Sequence, residues 1–303
     1  MTNDRISIYD KVTNAIIHQL ETGTAPWAKP WSAKNCNPSM PINAKSKRAY
    51  SGVNVLSLWA TGCEQGFASN AWLTFKQAQE LGGCVRKGEK GTMIVYADKF
   101  VPQAEKARAE RDGNDPHFIP FLKASHVFAL EQIDGLPASL FSVADPLPAH
   151  IQHSGAQSII DASSVPVRLG GDRAFYSPSD DFIQMPAPQS FLDFEAGQSR
   201  DYYRTALHEL THSTGHGSRL ARQYGKRFGD SAYAREELVA EIGAAFLCAN
   251  VGIEPCTRHA DYLANWLGVL KADNRAIFTA ASHASKAAEY CLARISAPLA
   301  IAA

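Results

Sequence analysis

The chain has 303 residues, 45% hydrophobic and 20% charged, with 30 basic and 30 acidic side chains that cancel to a formal charge of zero. That is the makeup of an ordinary soluble globular chain with enough mass for two cores. No apolar run approaches the roughly 18 residues of a membrane span. The first eleven residues are polar and lack the apolar stretch of a secretory signal, so the six scattered cysteines, none in a C-x-x-C pair, read as reduced thiols of a cytoplasmic protein.

Charge and aromatic content are unevenly placed. Residues 1–100 carry 12 Lys/Arg against 7 Asp/Glu, a local excess that the remainder cancels, and hold Trp27, Trp31, Trp59 and Trp72 of the five tryptophans. A basic, Trp-rich module followed by an acidic one predicts two domains with different partners. Ile8, Val12, Ile16 and Leu20 recur every fourth residue and predict an amphipathic opening helix that Gly23 ends. Prolines 26 and 30 keep the next segment extended. A short helix is expected around Leu56 and Trp59, and another from Trp72 to the Gly82-Gly83 stop. Residues 85–91 read as a basic turn between strands, with 92–96 alternating as a strand. Residues 103–117 are charged and short of apolar side chains, predicting an exposed loop, and 118–130 carries strand-like segments. The first domain is expected to close at residue 135, and Pro137, Pro146 and Pro148 mark a linker over 136–149.

A second domain, 150–303, is expected to open with a helix around 157–162. A strand pair follows at 174–176 and 182–186, around the turn 177–181. It predicts a small antiparallel sheet whose edge could hold an extended peptide by main-chain hydrogen bonds. Residues 201–215 read as a helix stopped by Gly215 in a left-handed conformation. Inside it stands His208-Glu209-Leu210-Thr211-His212, an H-E-x-x-H motif. Two histidines four apart lie about 40° from each other around a helix axis, so both imidazoles can reach one metal ion. The intervening Glu209 then faces the open coordination position, where it can take a proton from water.

A third ligand is sought on the next helix, 233–248, whose apolar positions include Leu238, Ile242 and Ala245. Glu237 and Glu241 are four apart and share a face there. Burying an unpaired carboxylate is costly, so two on one face of an Ala- and Leu-rich helix suggest a task. We take Glu237 as the third ligand and Glu241 as the acceptor for a ligand histidine's other N–H, with the reverse assignment open. The metzincin pattern would place its third histidine at position 218, which is a serine. His216 comes two residues early and is expected to cap the helix end or line the site. Tyr233 and His216 are the candidates for stabilising an oxyanion. The fourth position is left to water, and two C-terminal helices, around 262–270 and 275–295, are expected to pack behind.

Basic residues interleaved with aromatics suit single-stranded nucleic acid, with cations tracking phosphates and rings stacking on bases. The candidates in the first module are Trp27, Trp31, Arg48, Tyr50, Trp72, Phe75, Arg86, Lys87 and Lys90. Of these, Trp31 and Tyr50 stand beside basic residues in loops, while Trp72 and Phe75 have the spacing of core residues.

Several stretches carry a family resemblance. Tyr50-x-Gly52-x-Asn54, Trp72-Leu73-Thr74-Phe75-Lys76-Gln77 and Val85-Arg86-Lys87-Gly88-Glu89-Lys90-Gly91 resemble the N-terminal domain of ArdC-type plasmid antirestriction proteins, which is shared with TraC-type plasmid primases. Ala174-Phe175-Tyr176-Ser177-Pro178, the H-E-x-x-H segment through His216, and Glu236-Glu237-Leu238-Val239-Ala240-Glu241 resemble that family's zincin-like metallopeptidase domain. The resemblance covers nearly the whole chain. It implies an α+β protein with a mixed α/β DNA-binding domain followed by a zincin-like domain, and protection of incoming plasmid DNA from host restriction during conjugation. It carries the family's metal ligands onto His208, His212 and Glu237 and its catalytic acid onto Glu209.

The expected cofactor is one divalent metal, zinc first, with manganese, cobalt or nickel also able to occupy such a set. The expected partners are single-stranded DNA and a protein or peptide substrate, a restriction-system component among the candidates, with no membrane. Two rival readings use the same residues: a DNA coat protein with a non-catalytic metal, and a DNA-tethered protease that clears proteins from DNA. Against the first, a closed structural zinc site wants a fourth protein ligand, often Cys. Cys248 stands about three helical turns beyond Glu237.

Overall fold

The computed structural model describes residues 7–23, 25–28, 39–115, 117–141, 148–194, 199–222, 231–255 and 263–295. Helix α1 (Ile8–Glu21) begins where Ser7 Oγ accepts the Asp10 amide at 3.1 Å, and it buries Val12, Thr13, Ile16 and Leu20. That is the stripe its four-residue spacing predicts. Strand β1 (Ile42–Asn43) follows, then α2 (Val53–Gln65), which buries Leu56, Leu58 and Trp59.

The next segment departs from the sequence expectation. Residues Ala71–Thr74 form strand β2, and helix α3 (Phe75–Glu80) starts only after it. Thr74 decides the switch: its Oγ1 accepts the Gln77 amide at 3.2 Å while Gln77 Oε1 accepts the Thr74 amide at 3.0 Å, a capping box. Strands β3 (Cys84–Val85) and β4 (Thr92–Phe100) flank the expected basic turn. Residues Gln103–Asp112 are helix α4, where an exposed loop is expected from the lack of an apolar stripe. Its Ala, Glu, Lys and Arg are intrinsically strong helix formers, Glu105 and Arg108 pair at 2.7 Å one turn apart, and Gly113 at φ 65° stops it. Strand β5 (Ile119–Ala129) then runs back along β4 from Phe100↔Ile119 to Thr92↔Val127. β6 (Ile133–Asp134) pairs with β3. The larger sheet has the order β1-β2-β5-β4.

The second half opens with α5 (Ala149–Ala162), longer than its sequence signal. Strands β7 (Val167–Leu169), β8 (Phe175–Ser177) and β9 (Phe182–Met185) form a sheet of order β7-β9-β8. The expected antiparallel pair is present as β8 and β9, but β7 joins β9 in parallel, so the sheet is mixed. A three-residue strand is too short to show alternation. Helices α6 (Arg200–Ser213), α7 (Ser231–Val251), α8 (Leu263–Ala272) and α9 (Ala276–Leu292) complete the chain. Gly215 is not the left-handed stop expected of it. Thr214 stays right-handed, and the Gly215 and His216 amides donate to the His212 and Ser213 carbonyls at 2.8 and 3.0 Å, which tightens the exit into 3₁₀-type turns.

The two sequence modules share one hydrophobic core. Val12, Ile16, Leu20, Trp27, Leu56 and Trp59 from the first lie in the same buried cluster as Leu210, Leu238, Phe246, Trp266 and Ile277 from the second. Trp27 meets Trp266 edge-on at 5.5 Å and Trp59 meets Phe246 at 5.6 Å. Thr13 Oγ1 donates to the Asn274 carbonyl at 2.7 Å, and the Gly52 amide to Ser285 Oγ at 2.8 Å. Cys63, Cys84, Cys248 and Cys291 form no disulfide, while Cys36 and Cys256 lie outside the described residues. No helix among the described residues is long and apolar enough to cross a membrane.

A shared core makes a stability prediction. Trp27→Ala should cost about 3–5 kcal/mol, the usual penalty for deleting a buried aromatic, read from the urea midpoint of the whole chain. A cost near that of an exposed site, under about 0.5 kcal/mol, would show that the first module does not need the second.

Candidate metal centre

The site is built where α6 crosses α7. Helix α6 buries Ala206, Leu207 and Leu210, and α7 buries Leu238, Ile242 and Phe246. The crossing is close because position 243 has no side chain: a Cβ there would lie 2.5 Å from Thr211 Cγ2. Thr211 in turn satisfies its own hydroxyl on the Leu207 carbonyl at 2.8 Å.

Across this contact His208 and His212 turn their Nε2 atoms to within 3.2 Å of each other, with ring planes 80° apart. One carboxylate of Glu237 reaches both, Oε2 at 3.5 Å from His208 and Oε1 at 3.5 Å from His212. His208 and Glu237 are buried and His212 nearly so, and one ligand atom from each lies within 4.8 Å of the others. Two nitrogens each 2.0–2.1 Å from a tetrahedral zinc would stand roughly 3.3 Å apart, so the spacing suits a cation between them. Electrostatics agrees. Burial disfavours the imidazolium of His212, but Glu236 and Glu237, with the charge of Glu209, outweigh it and push the pKa up to about 10. Burial also raises Glu237, yet His208 and His212 draw it far below the ordinary carboxylate range. These side chains are arranged to surround positive charge.

Behind the imidazoles stand two more buried carboxylates. Glu241 Oε1 lies 3.8 Å from His208 Nδ1, on the side away from Glu237. Glu236 Oε1 lies 3.3 Å from His212 Nδ1 and is itself held by Arg222, whose Nε and Nη2 donate to its two oxygens at 3.0 and 2.8 Å. Sequence reasoning missed Glu236 and Arg222. The run Glu236-Glu237 gave a hint, because neighbours 100° apart on a helix can face two different histidines. Arg222 sits in an irregular segment with no periodic signal.

Glu209 and His208 border an open cleft of about 520 Å³. Its other walls are Gly171, Asp172 and Ala174 from the β7–β8 connection, and Pro186, Ser190 and Phe191 beyond β9. His216 is half-buried. Its Nδ1 lies 2.8 Å from Ser218 Oγ and 3.9 Å from Asp181 Oδ2, which ties it to the β8–β9 turn rather than to the His208, His212 and Glu237 cluster. Tyr233 is half-buried one turn before Glu237 on α7.

The nucleic-acid candidates divide by exposure. Trp27 and Trp72 are core residues, 1% and 0% exposed, and cannot stack on a base, which corrects the sequence reading. Trp31 lies outside the described residues. Tyr50 is half-buried, its hydroxyl 3.5 Å from Asn43 Nδ2. Arg48, Phe75, Arg86, Lys87 and Lys90 are exposed, with Arg86 paired to Glu89 and Asp134. Exposed aromatics that the sequence reading did not single out, Tyr96, Phe100 and Phe121, stand on the β4–β5 hairpin.

Two family models match the chain. Residues 6–128 match the N-terminal domain of the anti-restriction factor ArdC, and residues 154–283 match a zincin-like metallopeptidase family. The uncharacterized protein y4eC of Sinorhizobium fredii is 37% identical over 298 residues, which span 96% of this chain and 94% of the relative. The DNA primase TraC of Escherichia coli is 39% identical over 304 residues, which span 94% of this chain but 27% of the primase. The metal-free crystal structure of antirestriction protein ArdC from the R388 plasmid matches with a TM-score of 0.78 at 37% identity, covering 96% of this chain and 98% of that one. Its Mn(II)-bound form matches with a TM-score of 0.77.

A cation entering the site must displace the proton that His212 holds, so Mn(II) affinity should rise from about pH 6 to about pH 8, with protons released on uptake. In the same titrations Glu237→Ala should abolish uptake, while Glu241→Ala should weaken it roughly 10–100-fold. The opposite order would exchange the roles of the two carboxylates.

Proposed function

Because the chain belongs to the ArdC family of antirestriction proteins, we propose that it protects incoming plasmid DNA from host restriction during conjugation, combining single-stranded DNA binding with a metal-dependent peptidase centre. The peptidase reading rests on one observation: both imidazole Nε2 atoms converge on Glu237 beside Glu209, at the wall of an open cleft. His208, His212 and Glu237 would hold one divalent cation. Zinc suits two imidazoles and a carboxylate, manganese is the ion in the R388 relative, and cobalt or nickel could also be held. Such a cation, when bound, supplies Lewis acidity toward a carbonyl oxygen and toward water.

The remaining chemistry belongs to this chain's own groups. Glu209 follows His208 on α6 and borders the cleft, so its carboxylate can take the proton of an attacking water. The same carboxylate then delivers that proton to the leaving amine as the C–N bond breaks. β8 is an edge strand of the small sheet, and Ala174 just before it lines the cleft, so an extended peptide can align along that edge. Phe191, packed edge-on against Tyr202 at 5.6 Å, gives the cleft an apolar wall. The substrate is a protein or peptide, and a component of the restriction system fits the family's role.

DNA binding is assigned to residues 1–135, with the likeness to ArdC's N-terminal domain and to a DNA primase in support. The surface we favour is the β4–β5 hairpin. Its register sets Phe100 opposite Ile119, Asp98 opposite Phe121 and Tyr96 opposite Lys123, which places these side chains on one face. Tyr96, Phe100 and Phe121 are 46%, 56% and 41% exposed there, open to stacking on unpaired bases. Lys87 and Lys90, exposed in the turn before β4, supply charge for phosphates. DNA and restriction enzymes meet in the cytoplasm, where we place the protein.

Two experiments test this reading. Phe100→Ala and Phe121→Ala should each weaken single-stranded DNA binding roughly tenfold, in keeping with about 1–3 kcal/mol per stacked base. Equal binding of duplex and single strand by the whole chain would remove the basis for stacking. Glu209→Gln should keep metal and DNA binding but abolish peptide cleavage, because it removes the proton acceptor and no ligand. Plasmid transfer into a restricting recipient then decides the biology: lost protection ties antirestriction to proteolysis, and full protection favours DNA coating.

A further inference from the structure

Arg222 is buried near the site and makes four hydrogen bonds there, and the chemistry above does not use it. Its Nε and Nη2 donate to both oxygens of Glu236, its Nη1 to Thr214 Oγ1 at 2.7 Å, and its Nη2 also to the Thr211 carbonyl at 2.7 Å. Thr211 and Thr214 belong to the end of α6, and Glu236 belongs to the start of α7. One planar guanidinium therefore spans both helices at the point where His212 must be aimed. Glu236 Oε1, fixed in this way, lies 3.3 Å from His212 Nδ1. An N–H on that nitrogen donates to the carboxylate and leaves Nε2 as the lone-pair atom facing Glu237 and His208.

We propose that Arg222 and Glu236 are positioning residues for His212, a clamp that fixes its ring and tautomer for metal binding and so sets metal affinity. The proposal rests on the His208, His212 and Glu237 reading of the centre. The bidentate fork matters as much as the charge: arginine offers its donors in one plane, and lysine has a single point of charge that cannot engage Glu236, Thr214 and Thr211 together. The two histidines are thus held differently. His212 has a clamped carboxylate at 3.3 Å, while His208 has Glu241 at 3.8 Å.

The test measures Mn(II) dissociation constants of the whole protein as wild type, Glu236→Gln, Arg222→Lys and Arg222→Met. Losing such a partner of a metal-bound histidine typically costs 10–100-fold in affinity. We expect a loss of that size for Glu236→Gln and Arg222→Met, and a smaller one for Arg222→Lys. A structural role alone would lower the thermal midpoint without touching the imidazole. The second readout is therefore the Nδ1–H proton resonance of His212 in the zinc-loaded protein: slow to exchange in wild type, fast or absent in Glu236→Gln. Should Arg222→Met fail to fold, Glu236→Gln, nearly isosteric, tests the same contact. Unchanged Mn(II) affinity together with an unchanged N–H signal in Glu236→Gln would overturn the proposal. A wild-type chain that takes up neither metal would overturn the reading of the centre itself, and this proposal with it.

Discussion

The close crossing of α6 and α7 is the constraint on which the rest of the structure depends. Helix side chains normally hold axes 8–10 Å apart. Here the absence of a side chain at Gly243 lets Thr211 sit where a Cβ would collide. That contact brings two imidazoles from one helix and a carboxylate from the other within 3.5 Å of each other. Helix α7 can stand there because it is buried around most of its surface. From Leu238 to Val251, thirteen of its fourteen residues are buried, with Asn250 the exception.

That burial makes the carboxylates of α7 expensive. Glu236, Glu237 and Glu241 are all buried, as is Glu209 on α6. An uncompensated carboxylate in such a place would take up a proton rather than stay ionised. Arg222 answers Glu236, and the imidazoles of His208 and His212 face Glu237. The surrounding carboxylates outweigh burial and push the pKa of His212 up to about 10. The proton occupies the electrostatic role that a metal ion would take.

The first module contributes to this arrangement from outside. Helix α1 is tied to the α8–α9 connection through Thr13 and Asn274, and α2 is tied to α9 through Gly52 and Ser285. The larger sheet begins inside the shared core and leaves it. Near α2, Asn54 pairs with the Val95 backbone at 2.8 and 2.7 Å, and Val95 is buried. Five residues farther along β4, Phe100 is open to solvent opposite Ile119. The hairpin thus leaves aromatic rings exposed while its base is anchored in the core that supports α7.

Local patterns alone determined much of this. The four-residue spacing of α1, the alternation of β4, the turn between β8 and β9, and the H-E-x-x-H helix are short-range signals that a chain carries wherever it folds. The choice of Glu237 also came from one helix face. Other features needed partners distant in sequence. Trp72 and Leu73 became strand because β5 was available to pair with them and Thr74 could cap what followed. Trp27 became core because Trp266 packs against it, although its basic surroundings suggested a nucleic-acid contact. Glu236 and Arg222 gained their meaning only when the end of α6, the segment after it and the start of α7 came within hydrogen-bond distance. The sequence names the residues able to bind a metal, because that chemistry is local. Which rings are covered, and which carboxylate aims which histidine, is decided by contacts between segments, and no local pattern records them.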